Sequence, residues 1–297
     1  INKLAVDPAD RTSVYAAIVG YGVWRRAPHL DGDSAWHPVF ATRNPKDTYG
    51  DRTEFALTRK SGHTRMYAGD GSDDPAIAAL LASRNSRLAP FWLNPQDVDA
   101  PGPFVGRSAL VVDAEDRFTT MLAHQLRHLG LAVRIAHWSD VSDAEVAEAE
   151  LLIAGPGPGD PLDDSPRMRR MREIVSNRLA SGDPLLAVCL SHQILAHTLG
   201  MTLAPLDRPH QGLQLTVDVF GQRASIGFYN TFTVRVEPGT TRVGQTEIAA
   251  DPTSGDVYAM RGPGYASVQG HLESILSRDG IETLERLTAQ ALAPVDA

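Results

Sequence analysis

One cysteine, Cys189, supplies the only thiol in this chain of 297 residues. A single cysteine closes no internal disulfide and builds no cysteine-rich zinc site. Positive charge is also scarce. Lys and Arg number 28 against 36 Asp and Glu, a net charge of −8, and the pI lies near 5.7. The basic face that a nucleic-acid partner requires is therefore missing. No apolar run reaches the length of a bilayer span, so no membrane partner is expected. The N-terminus lacks the basic-then-apolar pattern of a secretory leader. Internal repeats and low-complexity tracts are absent too. Together these point to a soluble protein of the reducing cytoplasm. The chain opens on Ile1 rather than Met, which reads as a piece of something longer.

What is present suits a packed fold. Hydrophobic residues make up 42% and charged residues 22% of the chain, as in ordinary globular domains. The length allows two domains, or one large domain with an extension. The pattern changes near residue 100. Before it, Val14–Trp24, His37–Thr42 and Glu54–Arg59 look strand-like but are broken by Gly, Pro and Asp. Asp74–Ser83 reads as a short helix, and Asn94–Pro103 as a linker. After it, strands at Ala109–Asp113, Ala132–Ala136, Leu151–Ala154 and Leu185–Val188 alternate with two amphipathic helices. The first puts Phe118, Met121, Leu122, Leu126 and Leu129 on one face. The second does the same with Met168, Met171, Ile174, Val175 and Leu179. The expected fold class is α/β, an open, mostly parallel sheet with helices on both faces, behind an N-terminal extension of mixed or irregular structure. Ligands of such sheets bind beyond the carboxyl ends of the strands.

Three candidate elements fall there. Leu185–Val188 runs straight into Cys189 and then a helix start at Leu190. A nucleophile at such a turn needs small neighbours, and Ala187 and Ser191 are small. The helix N-terminus favours a thiolate and offers N–H groups to an oxyanion. A buried structural cysteine would look much the same from this turn alone. Near the C-terminus, His271 and Glu273 are two apart, so in extended backbone they project to one side. The carboxylate can hold one ring nitrogen while the other takes a thiol proton; an exposed His–Glu pair is the bland alternative. Gly155-Pro156-Gly157-Pro158-Gly159-Asp160-Pro161 is a rigid loop with exposed amides. It suits an oxyanion, a stiff surface turn, or a phosphate, although the Lys-Ser/Thr of a P-loop is lacking.

Ala187-Val188-Cys189-Leu190-Ser191-His192-Gln193 resembles the Gly-x-Cys-x-Gly-His-Gln elbow of the class I (triad) glutamine amidotransferases. Gln269-Gly270-His271-Leu272-Glu273-Ser274 resembles their Gln-Phe-His-Pro-Glu-Ser motif, and Pro156–Pro161 their Pro-Gly-Pro-Gly-x-Pro loop. Val111–Thr119 is similar to the opening of anthranilate synthase glutaminase subunits. Phe228–Phe232 and Pro209–Gln214 depart from most relatives and look like the phenazine-biosynthesis branch, the aminodeoxyisochorismate synthases.

The resemblance implies a flavodoxin-like amidotransferase domain over 104–297. Residues 1–103 would be the connecting segment from a missing N-terminal synthase domain. It implies catalysis by Cys189, His271 and Glu273, an oxyanion hole from Gly157 and Leu190, and glutamine contacts from Gln193, Thr231 and Phe232. It implies no cofactor and no metal in this chain, with Mg²⁺ confined to the synthase domain. The implied partners are glutamine and a chorismate-converting synthase domain, in the same or a partner chain, and a homodimer is compatible with it. Ammonia would then serve aminodeoxyisochorismate or anthranilate formation. A free-standing γ-glutamyl cysteine hydrolase or peptidase on the same fold is the alternative, and a non-catalytic interaction module is a third. Gly270 and Leu272, in place of the usual Phe and Pro, are expected to loosen the loop that carries His271.

Overall fold

The computed structural model describes residues 3–8, 12–18, 22–26, 36–40, 54–60, 63–69, 79, 82–94, 96 and 102–294. The chain divides into two compact units, Ile1–Ser86 and Arg87–Ala297.

The first unit is antiparallel. Strands β1 (Lys3–Val6), β2 (Val14–Ile18), β3 (Gly22–Arg26) and β4 (Trp36–Phe40) form one sheet in sequence order, and β5 (Glu54–Lys60) pairs with β6 (His63–Gly69). The stretch Val14–Trp24 is thus two strands rather than one. Tyr15 and Ala17, two apart on β2, bury together with Val23 and Phe55, as strand alternation dictates. The helix read over Asp74–Ser83 and the linker over Asn94–Pro103 lie largely outside the described residues.

The second unit begins with a short helix, α1 (Pro90–Leu93). It continues through β7 (Ser108–Asp113), α2 (Thr119–His128), β8 (Ala132–His137), α3 (Asp143–Glu148), β9 (Leu151–Ala154), α4 (Pro166–Ser181), β10 (Leu185–Val188) and α5 (Leu190–Thr198). Eight strands follow: β11 (Thr202–Pro205), β12 (Leu213–Asp218), β13 (Arg223–Phe228), β14 (Phe232–Arg235), β15 (Arg242–Val243), β16 (Thr246–Ala250), β17 (Val257–Gly262) and β18 (Tyr265–Val268). Helix α6 (Gly280–Ala291) ends the unit. The main sheet has the order β15-β16-β17-β18-β10-β9-β7-β8. Strands β8, β7, β9, β10 and β18 are parallel; β15 to β17 extend it antiparallel. Two antiparallel pairs, β11 with β14 and β12 with β13, stand apart from it.

Alternation along the central strands feeds two cores. On β9 and β10, Leu151, Ile153, Leu186 and Val188 join Leu122 and Leu126 of α2 and Leu284 and Leu287 of α6. Their neighbours Leu152, Ala154, Leu185 and Ala187 join Met168, Met171 and Ile174 of α4 and Ile194 and Leu195 of α5. Helices therefore cover both faces, and truncating a fully buried leucine such as Leu186 to Ala is expected to cost ~2–5 kcal/mol. Phe118 leaves the helical face assigned to it. It is the residue before α2, and its ring turns to the carboxyl edge of the sheet.

One buried cation ties the second face. Arg178 of α4 donates to the carbonyls of Val146 (3.0 Å), Ala147 (3.2 Å), Pro184 (3.2 Å) and Ala149. It thereby caps the carboxyl end of α3, where a positive charge is favoured. The nearest carboxylate, Asp183, is 3.6 Å away, and burial lowers the Arg178 pKa.

Candidate active site

The carboxyl ends of β7, β9, β10 and β18 lead into Ala114, Gly155–Gly159, Cys189 and Gln269–Glu273 respectively. At the end of β10 the backbone turns sharply, with Cys189 at φ 53° and ψ −103° before α5 starts at Leu190. A positive φ at a side-chain-bearing residue costs on the order of 1–3 kcal/mol and needs support. The support is visible. Cys189 N–H donates to the Val268 carbonyl (2.9 Å), and the Gln193 N–H to the Cys189 carbonyl (3.2 Å). Ser191, fully buried, donates its hydroxyl to the Gly155 carbonyl at 2.7 Å. The serine that stands where the amidotransferase elbow has glycine thus pins the turn to the Gly/Pro loop.

His271 faces Cys189 closely enough for the charge of the sulfur to act on its ring. Its Nδ1 is 2.8 Å from Glu273 Oε1, which leaves Nε2 as the nitrogen facing the thiol. The ring is 2% and Glu273 0% exposed. Burial alone would lower the His271 pKa, but the charges and hydrogen bonds of Cys189 and Glu273 outweigh it and hold the pKa well above the ordinary histidine value. Two rings enclose the imidazole: Phe118 at 4.7 Å and Tyr229 at 5.2 Å between centroids. The Tyr229 hydroxyl and Ser274 Oγ are 2.8 Å apart.

The loop carrying His271 is not loosened. A Cβ on Gly270 would lie 2.3 Å from Ile226 Cγ2, so only glycine lets β13 approach this closely. Leu272 is fully buried. The His271 N–H donates to the Gly227 carbonyl at 2.8 Å, forming an antiparallel bridge to β13, and the Ser277 hydroxyl donates to the His271 carbonyl.

The Gly/Pro loop is equally tight. A Cβ on Gly157 would sit 2.6 Å from the Ala114 carbonyl and 2.8 Å from Leu190 Cδ2. Gly157 and Leu190 are therefore neighbours. As the first residue of α5, Leu190 has an N–H without a partner inside the helix. Gln193 Nε2 donates to the Phe232 carbonyl (2.7 Å) and to Gln269 Oε1 (2.9 Å). Asn230 Nδ2 donates to the same Phe232 carbonyl at 2.8 Å. Phe232 is half-buried, whereas Thr231 faces solvent and its carbonyl accepts from the Leu206 N–H.

Three further features were not singled out from the sequence. Gln269 places its Nε2 3.8 Å from Cys189 Sγ, and Phe118 with Tyr229 walls the imidazole. The third is a strap from Arg87 to Leu93. Trp92 Nε1 donates to the Glu273 carbonyl (2.8 Å) and the Ala89 N–H to the Ile275 carbonyl (2.8 Å). Gln214 Nε2 donates to the carbonyls of Arg87 and Leu276, each at 2.6 Å. The Trp92 ring stacks on His124 of α2, with centroids 5.6 Å apart.

Known proteins are similar to this chain. Residues 110–291 match the family Glutamine amidotransferase class-I. Two curated relatives named "Anthranilate synthase, phenazine specific" are similar. The one from Pseudomonas fluorescens is 41% identical over 76% of this chain and 36% of its own length. The one from Pseudomonas chlororaphis is 40% identical over 73% of this chain and 34% of its own. The chain thus spans about a third of the length of these relatives. An "Aminodeoxychorismate synthase component 2" from Klebsiella aerogenes is 27% identical over 59% of this chain and 96% of its own length. Among solved structures, a GMP synthase subunit from Thermoplasma acidophilum superposes with a TM-score of 0.51 at 15% identity. That match covers 62% of this chain and 94% of the other, a likeness of fold. The family match takes in Cys189, His271 and Glu273 within one continuous stretch, and the chain belongs to the class I glutamine amidotransferases.

Proposed function

We propose that this chain releases ammonia from glutamine and passes it to a chorismate-converting synthase domain, for aminodeoxyisochorismate or anthranilate formation. The observation that carries the reading is the Cys189–His271–Glu273 line at the carboxyl edge of the sheet. The names of the relatives, anthranilate synthases, support this choice of acceptor.

In this reading the Cys189 thiolate attacks the side-chain carboxamide carbon of glutamine. The N–H groups of Leu190 and Gly157 hold the resulting oxyanion. His271, protonated at Nε2, gives its proton to the departing nitrogen, and ammonia leaves as the γ-glutamyl thioester forms. His271 then takes a proton from water, whose oxygen attacks the thioester; the thiolate departs and glutamate is released. Glu273 holds the tautomer throughout. Gln193, with Nε2 committed to Phe232 and Gln269, offers Oε1 to the substrate's ammonium. The backbone at Thr231 and Phe232 flanks the same position. Mg²⁺ would serve the acceptor reaction in the synthase domain and is assigned no ligands in this chain. The thiolate chemistry suits a reducing cytoplasm.

Glutamine would be wasted if ammonia were released freely, and the strap supplies a means of control. Residues 87–92 hydrogen-bond to the backbone of Glu273 and Ile275. An upstream domain that favours one strap position would favour one setting of the triad. Glutamate formation should be slow with glutamine alone. It should rise strongly when the full-length synthase also holds chorismate. Equal rates with and without chorismate would sink the coupling and favour a free-standing hydrolase.

A further inference from the structure

Gln269 is a buried amide whose position the mechanism above does not use. Its orientation follows from an anchor that can only accept. The Phe232 carbonyl takes a hydrogen bond from Gln193 at 2.7 Å, so the Gln193 NH₂ group must point there. The second N–H of that group reaches Gln269 at 2.9 Å and requires an acceptor, which fixes the Gln269 oxygen toward Gln193. The Gln269 NH₂ is then turned to Cys189 Sγ, 3.8 Å away. Both side chains are nearly sealed from solvent, Gln193 at 4% and Gln269 at 1% exposure. The Gln269 backbone is held as well, its N–H donating to the Tyr258 carbonyl at 2.8 Å.

We propose that Gln269 is a catalytic residue: its side-chain N–H donates to the Cys189 thiolate, with the donor face set by the Phe232–Gln193–Gln269 chain. The inference rests on Cys189 being the nucleophile and adds a second stabiliser of its charge. His271 contributes from the side facing Glu273, and Gln269 from the loop directly after β18. The remaining histidine nearby, His192 of α5, is neutral because burial pushes its pKa down to about 3, so it offers no charge to the sulfur. The arrangement also joins the nucleophile to the substrate's ammonium contact. Gln193 is bonded to Gln269, and occupation of its oxygen by the ammonium steadies the amide that holds Gln269.

Iodoacetamide alkylation of the sole cysteine, followed by mass spectrometry across pH, tests this directly. Gln269→Met keeps the bulk of the side chain and removes the donor. The pH of half-maximal alkylation should move upward and the rate at pH 7 fall about tenfold, the low end for a hydrogen bond to a charged group because sulfur accepts weakly. The plateau rate at high pH should match wild type, which a general disturbance of the fold would not produce. Gln193→Met leaves Gln269 in place but removes its anchor, and should shift the curve the same way by about threefold. This second variant decides the matter if Gln269→Met does not fold. Wild-type alkylation curves in the variants that fold would overturn the proposal. The glutaminase reading is tested separately by the loss of glutamate formation in Cys189→Ser, so the two can fail independently.

Discussion

His192 and His271 are both buried, both close to Cys189 in the fold, and both engaged through Nδ1, yet their protonation is opposite. His192 sits on the buried side of α5 with Nδ1 2.9 Å from Ser267 Oγ. Burial drives its pKa down to about 3. His271 loses as much solvent, but Cys189 and Glu273 raise its pKa well above the ordinary value. Desolvation penalises the charged ring in both places; an anionic partner decides which ring keeps its proton. One region is a neutral hydroxyl–imidazole prop beneath the elbow, and the other an ion line that can move a proton. Sequence proximity to Cys189 is the wrong guide, since the histidine three residues away is the inert one.

The largest expected effect separates the two chemically. His271→Ala should lower glutaminase kcat by about a thousandfold or more, as triad deletions do, and also cost stability, because the buried Glu273 carboxylate loses its partner. Glu273→Gln should show a deficit in kcat no larger than that. His192→Ala should cost stability alone. It leaves Ser267 without its partner and opens a cavity, so stability should fall by ~2–4 kcal/mol, while turnover per folded molecule is retained. Chemical denaturation and initial rates on the same samples check both.

Acid stability sharpens the contrast. The unfolded chain protonates His192 below its ordinary pKa of 6.5, while the native chain holds it neutral down to about 3. Stability should therefore decline as pH falls through that window, at up to ~1.4 kcal/mol per unit for one proton. A neutral replacement, His192→Asn, should flatten this limb in denaturation midpoints followed against pH. His271 has the opposite sign. Its folded pKa is raised, so its contribution is complete below 6.5 and is lost as pH rises through the folded value. Cys189→Ala removes one of the two anions and should move the His271 imidazole resonance to a lower titration midpoint by NMR, with His192 unmoved. An unchanged His271 midpoint would mean the sulfur carries no charge.

The smallest effect concerns the strap. Trp92→Phe keeps the ring against His124 and deletes the donor to the Glu273 carbonyl. A net ~0.5–1.5 kcal/mol, or about two- to tenfold, is expected in kcat with KM unchanged. A change confined to KM would detach Trp92 from the triad.

Much of the second unit is legible along the chain. Leu151–Ala154 and Leu185–Val188 are unbroken apolar runs bounded by loop residues, and both appear as strands with those bounds. The antiparallel extension is less legible. Thr246–Ala250 and Val257–Gly262 alternate weakly, and β16 carries a register shift between Ala249 and Ala250. Cys189, His271 and Glu273 are visible because their motifs are local, and the structure brings them together. Gln269 lies 80 residues from Cys189 in the chain and Trp92 lies 181 from Glu273, contacts that only the sheet order creates. Gly270 misleads for a related reason. Along the chain it promises freedom, but Ile226 of β13 occupies the space a side chain would need.

The central claim is that Cys189 is the nucleophile of a glutaminase, and one labelling experiment addresses it. A glutamine-mimicking alkylator should modify the protein once, at Cys189, with glutamate formation lost in proportion to label. Cys189→Ser should take up no label and form no glutamate. Full glutaminase activity in Cys189→Ser would contradict the account.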